Sequence, residues 1–483
     1  MGLAHRGNCQ PVNLPRRRRP LELPLTRRDF VRYGGSAVAG LSAGGPLLRA
    51  ANALGKTVRM PDSLPDPKRA AGTPTEALPF DHIVVVMMEN HSFDNLLGAL
   101  AISGQPKAHG LKFDALGNAR NHNPDLEGKR VRAFPFTSTE QDHGVSQSWN
   151  ATHQQIDGGR MDGFIRSTGS TQAMGYWTED VLPFAYSFAR GFTLANRWFC
   201  SAPCQTYPNR RFLMAGTAYG DVSTDSESLQ DPPPPNGTIF DRLSSYGVSW
   251  RNYFTDLPQT AIIPSTIEKH PANIAPIAQF YLDCLAGTLP SVSFVDPEFG
   301  ALSEIGAPLT KVPGLEALGA KLEATGGDEE APQDLSYGED WAYTVVDAVL
   351  NSPAWPRTLL VYTYDEHGGY YDHVKPPAAI APDSIAPQLE AGDAPGGYDL
   401  YGPRVPGIVA SPYSRPGAVT NATHDHTSVL ATIEAKWNIP ALTYRDANAR
   451  TVADFLDLKS PPALLDPPTI AKPPAPTGFP GAK

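Results

Sequence analysis

Cysteine is scarce in this chain: four residues in 483, with no Cys-x-x-Cys pair. That excludes a disulfide-built scaffold and a thiolate zinc site. Cys9 falls in an N-terminal leader, while Cys200, Cys204 and Cys284 allow one disulfide whose pairing stays open. Long apolar runs are missing as well. The most apolar N-terminal stretch is broken by Arg32, Gly34, Gly35 and Arg49, too often for a stable span of about 20 residues. Past residue 53 there is no Lys/Arg stripe with interleaved aromatics. Residues 1–53 hold nine arginines and two acids, so the rest of the chain carries a formal −17. Such a surface repels polyphosphate backbones and excludes nucleic acid as a partner. Internal repeats are absent too.

What is present is a globular composition, 41% hydrophobic and 19% charged, with 49 prolines and 43 glycines. That content points to many long, shaped loops, where sites are usually carried. The N-terminus, "RRRRP" and then "TRRDFVRYGGSAVAGLSAGGPLLRAANA", combines a basic region, the twin arginine Arg27-Arg28, a weakly apolar segment and small residues at Ala51-Asn52-Ala53. It reads as a twin-arginine export signal over residues 1–53, which implies the twin-arginine machinery as a partner and a periplasmic or secreted address. Residues 54–79 read as a Pro-rich linker or arm, 80–465 as one catalytic domain and 466–483 as a Pro-rich tail.

Two strands stand out. "IVVVMMENHSFDN" opens with six apolar residues, read as a strand buried on both faces, and runs into Glu89, Asn90 and His91. "RTLLVYTYDEHGGYYDH" repeats the arrangement, with residues 358–364 running into Asp365, Glu366 and His367. The helical periodicity of Trp341, Val345, Ala348 and Val349, stopped by Pro353, makes the second strand part of a helix–loop–strand unit. Shorter strands are expected in "GVSWRNYF", "PSVSFVD" and "RVPGIVAS", and a helix in "HDHTSVLATIEAKWNI" with Thr427 and Glu434 on its polar side. Ligands bind at the carboxyl ends of strands in open parallel α/β sheets. Two such strands would bring three carboxylates and an amide to one edge, a donor set suited to a hard or borderline divalent cation.

The ordered series "VVVMMENHSFDN", "QDHG" with "GGRMDGF", "TEDVLPFAYSFARGFTLANRWFCS", "TYPNRRFLMAGT", "VSWRNYF", "PSVSFVDP", "TYDEHGGYYDHV", "GPRVPGIVASPYS" and "HDHTSVLATIE" spans residues 83–434. In order and spacing it resembles the bacterial phosphoesterase family that contains the non-haemolytic phospholipases C and a group of acid phosphatases. The resemblance implies an alkaline-phosphatase-like α/β fold: a mostly parallel central sheet flanked by helices, with long loops over the C-terminal strand edge. It implies Thr206 of the Thr-x-Pro-Asn-Arg segment as nucleophile, and a divalent cation held by Glu89, Asn90, Thr206, Asp365 and Glu366. Arg210 joins the catalytic group. His153, His367, His373 and His426 are candidates for protonating the leaving alcohol.

The expected activity is hydrolysis of phosphate esters, of the phospholipase C type on phosphatidylcholine-like lipids, through a phosphothreonine intermediate. An acid phosphomonoesterase on the same core is the alternative, and a secreted non-catalytic anion-binding protein is the reading from another class. One departure stands out. Many family members carry a His-Pro pair in an acidic loop before the 341 helix, whereas "ATGGDEEAPQDLSYGED" has no histidine.

Overall fold

The computed structural model describes residues 58–142, 144–299 and 327–476. The export-signal segment lies outside the described residues.

The run of residues 83–88 forms β1 (His82–Met88), at the centre of an eight-stranded sheet. The other strands are β2 (Thr193–Ala195), β3 (Trp250–Phe254), β4 (Ile274–Pro276), β5 (Val292–Asp296), β6 (Thr358–Tyr364), β7 (Gly407–Ala410) and β8 (Val419–Thr420). Their order across the sheet is β8-β2-β7-β6-β1-β5-β3-β4. The pairs β6/β1, β1/β5, β5/β3, β3/β4 and β2/β8 are parallel. Only β7 runs against its neighbours, β6 and β2. The mostly parallel α/β sheet expected from the sequence is therefore what the chain builds.

Both long strands read as continuous apolar runs because both faces of the sheet are covered. Ile83 through Met88 and Leu359 through Val361 are buried, each such side chain contributing about 1.5–3 kcal/mol relative to exposure. Three strands escape the sequence patterns. β2 and β8 are two or three residues long, and β4 ends in proline.

The helices that matter for the site are α1 (Phe93–Leu97), α2 (Trp149–Ile156), α3 (Pro183–Gly191), α4 (Thr206–Ala215), α5 (Leu335–Leu350) and α6 (Thr427–Trp437). Ser92 caps α1, its hydroxyl accepting from the Asn95 amide, and Asp334 caps α5. α5 buries Ala342, Val345, Val346 and Val349, while Trp341 and Ala348 stay partly exposed. α6 departs from its amphipathic reading. Thr427 and Glu434 are buried as well: residues 59–75 lie across the 435–448 region, with Thr75 N–H on the Lys436 carbonyl (2.8 Å) and Arg59 N–H on Asn448 (2.8 Å), and at the other end the Thr427 hydroxyl donates to Asp425 Oδ1 (2.7 Å). The start of the Pro-rich C-terminal segment also packs: Ile470 is buried and Ala471 N–H donates to Ser187 Oγ (2.8 Å). Cys200, Cys204 and Cys284 are buried and free.

Candidate active site

β1 and β6 are paired in register from His82–Thr358 to Met88–Tyr364. Glu89 and Asp365, then Asn90 and Glu366, therefore leave the sheet side by side at its carboxyl edge. The Asp365 N–H still donates to the Met88 carbonyl (3.1 Å), which carries the pairing one step past the strand. All four side chains are buried.

Thr206 arrives from another direction, as the first residue of α4. Gln205 precedes it without a side-chain cap, so the positive end of the helix lies at Thr206, while the next N–H, of Tyr207, donates to Thr224 Oγ1 (3.1 Å). The Thr206 hydroxyl donates to Asn90 Oδ1 at 3.3 Å. Arg210 lies one turn along the same face. Its Nε donates to Glu89 Oε1 (3.0 Å) and Asp365 Oδ2 (3.1 Å), its Nη2 to the carbonyls of Met87 (3.2 Å) and Met88 (3.4 Å). The guanidinium also stacks on Phe299, 4.7 Å from the ring centre.

The network is incomplete. Arg210 Nη1, Asn90 Nδ2 and Glu366 Oε1 are buried without hydrogen-bond partners. Burial, reinforced by the Glu89 charge, pushes the Asp365 carboxyl well above its usual range, with Arg210 opposing. Burial does the same to Glu366 and, against Arg210, raises Glu89. Buried carboxylates with one guanidinium among them and unpartnered polar atoms beside a hydroxyl make a donor set that fits a divalent cation. The carboxylates are not drawn tightly together. Among the described residues, the one group of three whose ligand atoms all lie within 4.8 Å is Asp94, Asp372 and His373. That group is already compensated by Arg404, whose Nε donates to Asp372 Oδ1 (2.9 Å) and Nη2 to Asp94 Oδ1 (3.1 Å).

Thr206, Glu89 and Arg210 open onto a cavity of about 490 Å³. Its walls carry Leu229, Leu257, Ala261 and Ile262, and also Gln147 and Glu330. Gln147 and Glu330 also line a smaller recess next to Asn90. Sequence reasoning missed Glu330; its signal was the acidic loop without a histidine. Gln147 Nε2 donates to Glu330 Oε1 (3.0 Å). Loss of solvent, with the charges of Glu89 and Glu366, pushes the Glu330 carboxyl up to about 8.

None of the four candidate histidines lines that cavity. His367 is buried beside the site, its Nε2 donating to Gln155 Oε1 (2.6 Å) and its Nδ1 3.1 Å from Glu366 Oε2. Burial pulls its pKa down to about 3. His426 is buried too, with Nε2 on the Asp365 carbonyl (2.6 Å) and Nδ1 facing the Trp198 indole N–H (3.5 Å). Burial lowers it to about 4. In neutral form His426 braces the backbone of Asp365. His153 lies on α2, its Nδ1 on the Trp149 carbonyl (2.7 Å), and burial lowers it. His373 pairs with Asp94 (Nδ1–Oδ2 2.6 Å) in the Arg404 cluster.

A hydroxyl at a helix N-terminus, set against oxygen donors at a sheet edge and opening on a half-apolar cavity, belongs to an enzyme that hydrolyses anionic esters. The chain belongs to the Phosphoesterase family, whose model matches residues 80–440. It is a phosphoric ester hydrolase by that membership. It is 31% identical over 419 residues to non-specific phospholipase C6 of Arabidopsis thaliana, covering 81% of this chain and 75% of that protein. It is 30% identical over 447 residues to non-hemolytic phospholipase C of Burkholderia pseudomallei, covering 85% of this chain and 61% of that longer protein. Among solved structures, a protein in the alkaline phosphatase superfamily from Vibrio parahaemolyticus matches at a TM-score of 0.35 and 11% identity, over 74% of this chain and 78% of that one.

Proposed function

We propose that this protein is a metal-assisted, phospholipase C-like phosphodiesterase that acts outside the cytoplasm, with Thr206 as its nucleophile. The observation that carries the reading is the Thr206 hydroxyl, held at the start of α4 against Asn90 Oδ1 at 3.3 Å, with Arg210 one turn on. The names of the relatives support the lipid-ester class. The twin arginine and the Ala51-Asn52-Ala53 site support export.

Glu89, Asn90, Asp365 and Glu366, with the Thr206 hydroxyl, would hold the cation. When bound, it supplies a Lewis acid that lowers the pKa of a coordinated hydroxyl and offsets charge on the phosphoryl oxygens. The residues do the rest. Thr206 Oγ attacks phosphorus and the alcohol leaves, giving a phosphothreonine that water then hydrolyses. The orphaned Arg210 Nη1 donor receives a phosphoryl oxygen, beside the positive end of α4. Arg210 also keeps Glu89 and Asp365 in place. The apolar walls accept the non-polar part of the ester.

The test is hydrolysis of an activated choline phosphodiester by wild type, Thr206→Ser and Thr206→Ala, with a divalent metal and with melting curves as control. Thr206→Ala is expected to lose several orders of magnitude in rate with an unchanged Tm, while Thr206→Ser keeps measurable activity. Acid-quenched protein should carry phosphorus on residue 206. Near-wild-type turnover by the alanine variant would sink the nucleophile assignment.

A further inference from the structure

Two neighbouring arginines on α4 point different ways. Arg210 faces the carboxyl edge of the sheet, whereas Arg211, roughly 100° further round the helix, turns to the loops that wall the cavity of Thr206. Arg211 is fully buried. Its Nη1 is paired with Asp221, and its Nη2 donates to the carbonyls of Ser228 (2.8 Å) and Ile262 (3.2 Å), which lie 17 and 51 positions further along the chain. The guanidinium also covers the Tyr219 ring, 4.8 Å from its centre.

Those two carbonyls belong to the cavity wall. Leu229 follows Ser228 in a short turn (Ser228–Gln230), Ile262 ends another (Gln259–Ile262), and Leu229 and Ile262 both line the cavity. Turns this short hold few hydrogen bonds of their own, so a buried carbonyl in them needs a donor from elsewhere. One guanidinium donates to both, which fixes the two segments against each other and against the helix that carries Thr206. The 221–231 loop is fastened to the start of α4 as well: Thr224 N–H donates to Gln205 Oε1 (2.9 Å), and Tyr207 N–H to Thr224 Oγ1 (3.1 Å). The spacing between the Thr206 hydroxyl and the apolar wall is thus set through a single helix. Attraction at such a wall is short-ranged. A wall displaced by about 0.5–1 Å loses roughly a quarter to a half of each contact with a chain lying on it.

We propose that Arg211 is a positioning residue for the apolar side of this cavity: by clamping Ser228 and Ile262 it sets the fit of the non-polar chain of the ester, and so the preference for longer over shorter chains. This rests on the reading of Thr206 as nucleophile and deepens it by naming the residue behind the chain-binding wall. Arg211 touches neither phosphorus nor the leaving alcohol. Its effect falls on binding, because each methylene fully buried against the wall adds roughly fourfold in affinity, while Arg210, Glu89 and Asn90 keep their places at the reacting groups.

The test is a series of nitrophenyl alkyl phosphodiesters with methyl, butyl and octyl chains, kept monomeric and assayed with a divalent metal. In wild type, kcat/KM is expected to rise with chain length, mainly through KM. Arg211→Lys keeps a positive charge beside Asp221 and lacks the fork that reaches both carbonyls. It should lose about tenfold in kcat/KM on the octyl ester through KM, and about twofold or less on the methyl ester. Leu229→Ala, which shortens the wall and leaves the clamp in place, should flatten the rise as well. If Arg211→Lys melts below the assay temperature, Arg211→Met combined with Asp221→Asn removes both buried charges together, and the same split between octyl and methyl esters is read on it. An equal loss on all three esters, an unchanged rise in either the clamp or the wall variant, or a wild type whose kcat/KM does not rise with chain length overturns this inference alone. No turnover of any ester by wild type removes the catalytic reading, and this inference with it.

Discussion

Two clusters in this molecule are built from nearly the same parts. In each, an arginine joins two buried carboxylates beside a histidine: Arg210 with Glu89, Asp365 and His367, and Arg404 with Asp94, Asp372 and His373. The second is complete. Arg404 Nη1 donates to the carbonyls of His109 (2.9 Å) and Asn196 (2.9 Å), and its other donors are taken by Asp94 and Asp372. His373 and Arg404 overcome the burial of Asp94 and hold its carboxyl below the usual range. The first cluster keeps an orphaned guanidinium nitrogen, an orphaned amide and an orphaned carboxylate oxygen, and it opens on a cavity. A satisfied network ties chain segments together, whereas an unsatisfied one keeps polar atoms with unused hydrogen-bonding capacity.

The comparison breaks most visibly on removing an arginine. Arg404→Ala leaves two buried carboxylates without their guanidinium and is expected to cost about 3–5 kcal/mol in stability, read from urea unfolding in the presence of a divalent metal. Arg210→Ala under the same conditions should lose less stability and far more activity, because a cation can take over the charge. Equal destabilisation by the two variants would erase the distinction.

Metal separates the clusters next. Adding a divalent cation to metal-stripped protein should raise its Tm by several degrees, since a ligand that binds only the folded state stabilises it. Glu366→Gln should abolish the rise and Asp372→Asn should keep it. A shift that follows Asp372 would place the cation in the Arg404 cluster instead.

The smallest effect is in the pH dependence. Burial works against protonation of His373, yet Asp94 outweighs it and raises the histidine above its ordinary value. A raised folded-state pKa gives stability that is fully present below the unfolded value, near 6.5, and is lost as pH rises through the folded value. His373→Gln should therefore flatten the stability profile on the alkaline side of 6.5 by about 1 kcal/mol or less. An unchanged slope would mean that the Asp94–His373 pair adds nothing there.

Much of this was legible before any coordinates. Residues 83–88 and 358–364 announce themselves as doubly buried strands, and the polar residues just after each run mark the sheet edge where Glu89, Asn90, Asp365 and Glu366 gather. Thr206 was reached through its motif, since a threonine before a tyrosine and a proline is otherwise an ordinary turn hydroxyl. The antiparallel insertion of β7 between β6 and β2 was not legible, because strand direction is set by pairing with residues far along the chain. Nor was the division among the histidines. His367, His373 and His426 sit in similar motifs, and what separates them is which ring nitrogen meets Gln155, Asp94 or the Asp365 carbonyl.

The sequence by itself determined the two long strands, their polar ends and the acidic, cysteine-poor character of the chain, because periodicity, burial preference and charge are local properties of residues. Only the tertiary structure decided that Arg210 would stand between Glu89 and Asp365 while Arg404 closed the other pair, and that Glu330 would face the cavity of Thr206. Those relations are distances between residues as much as 310 positions apart, as for Arg404 and Asp94. Electrostatic interactions depend on distance and on exclusion of water, and both exist only once the chain has folded.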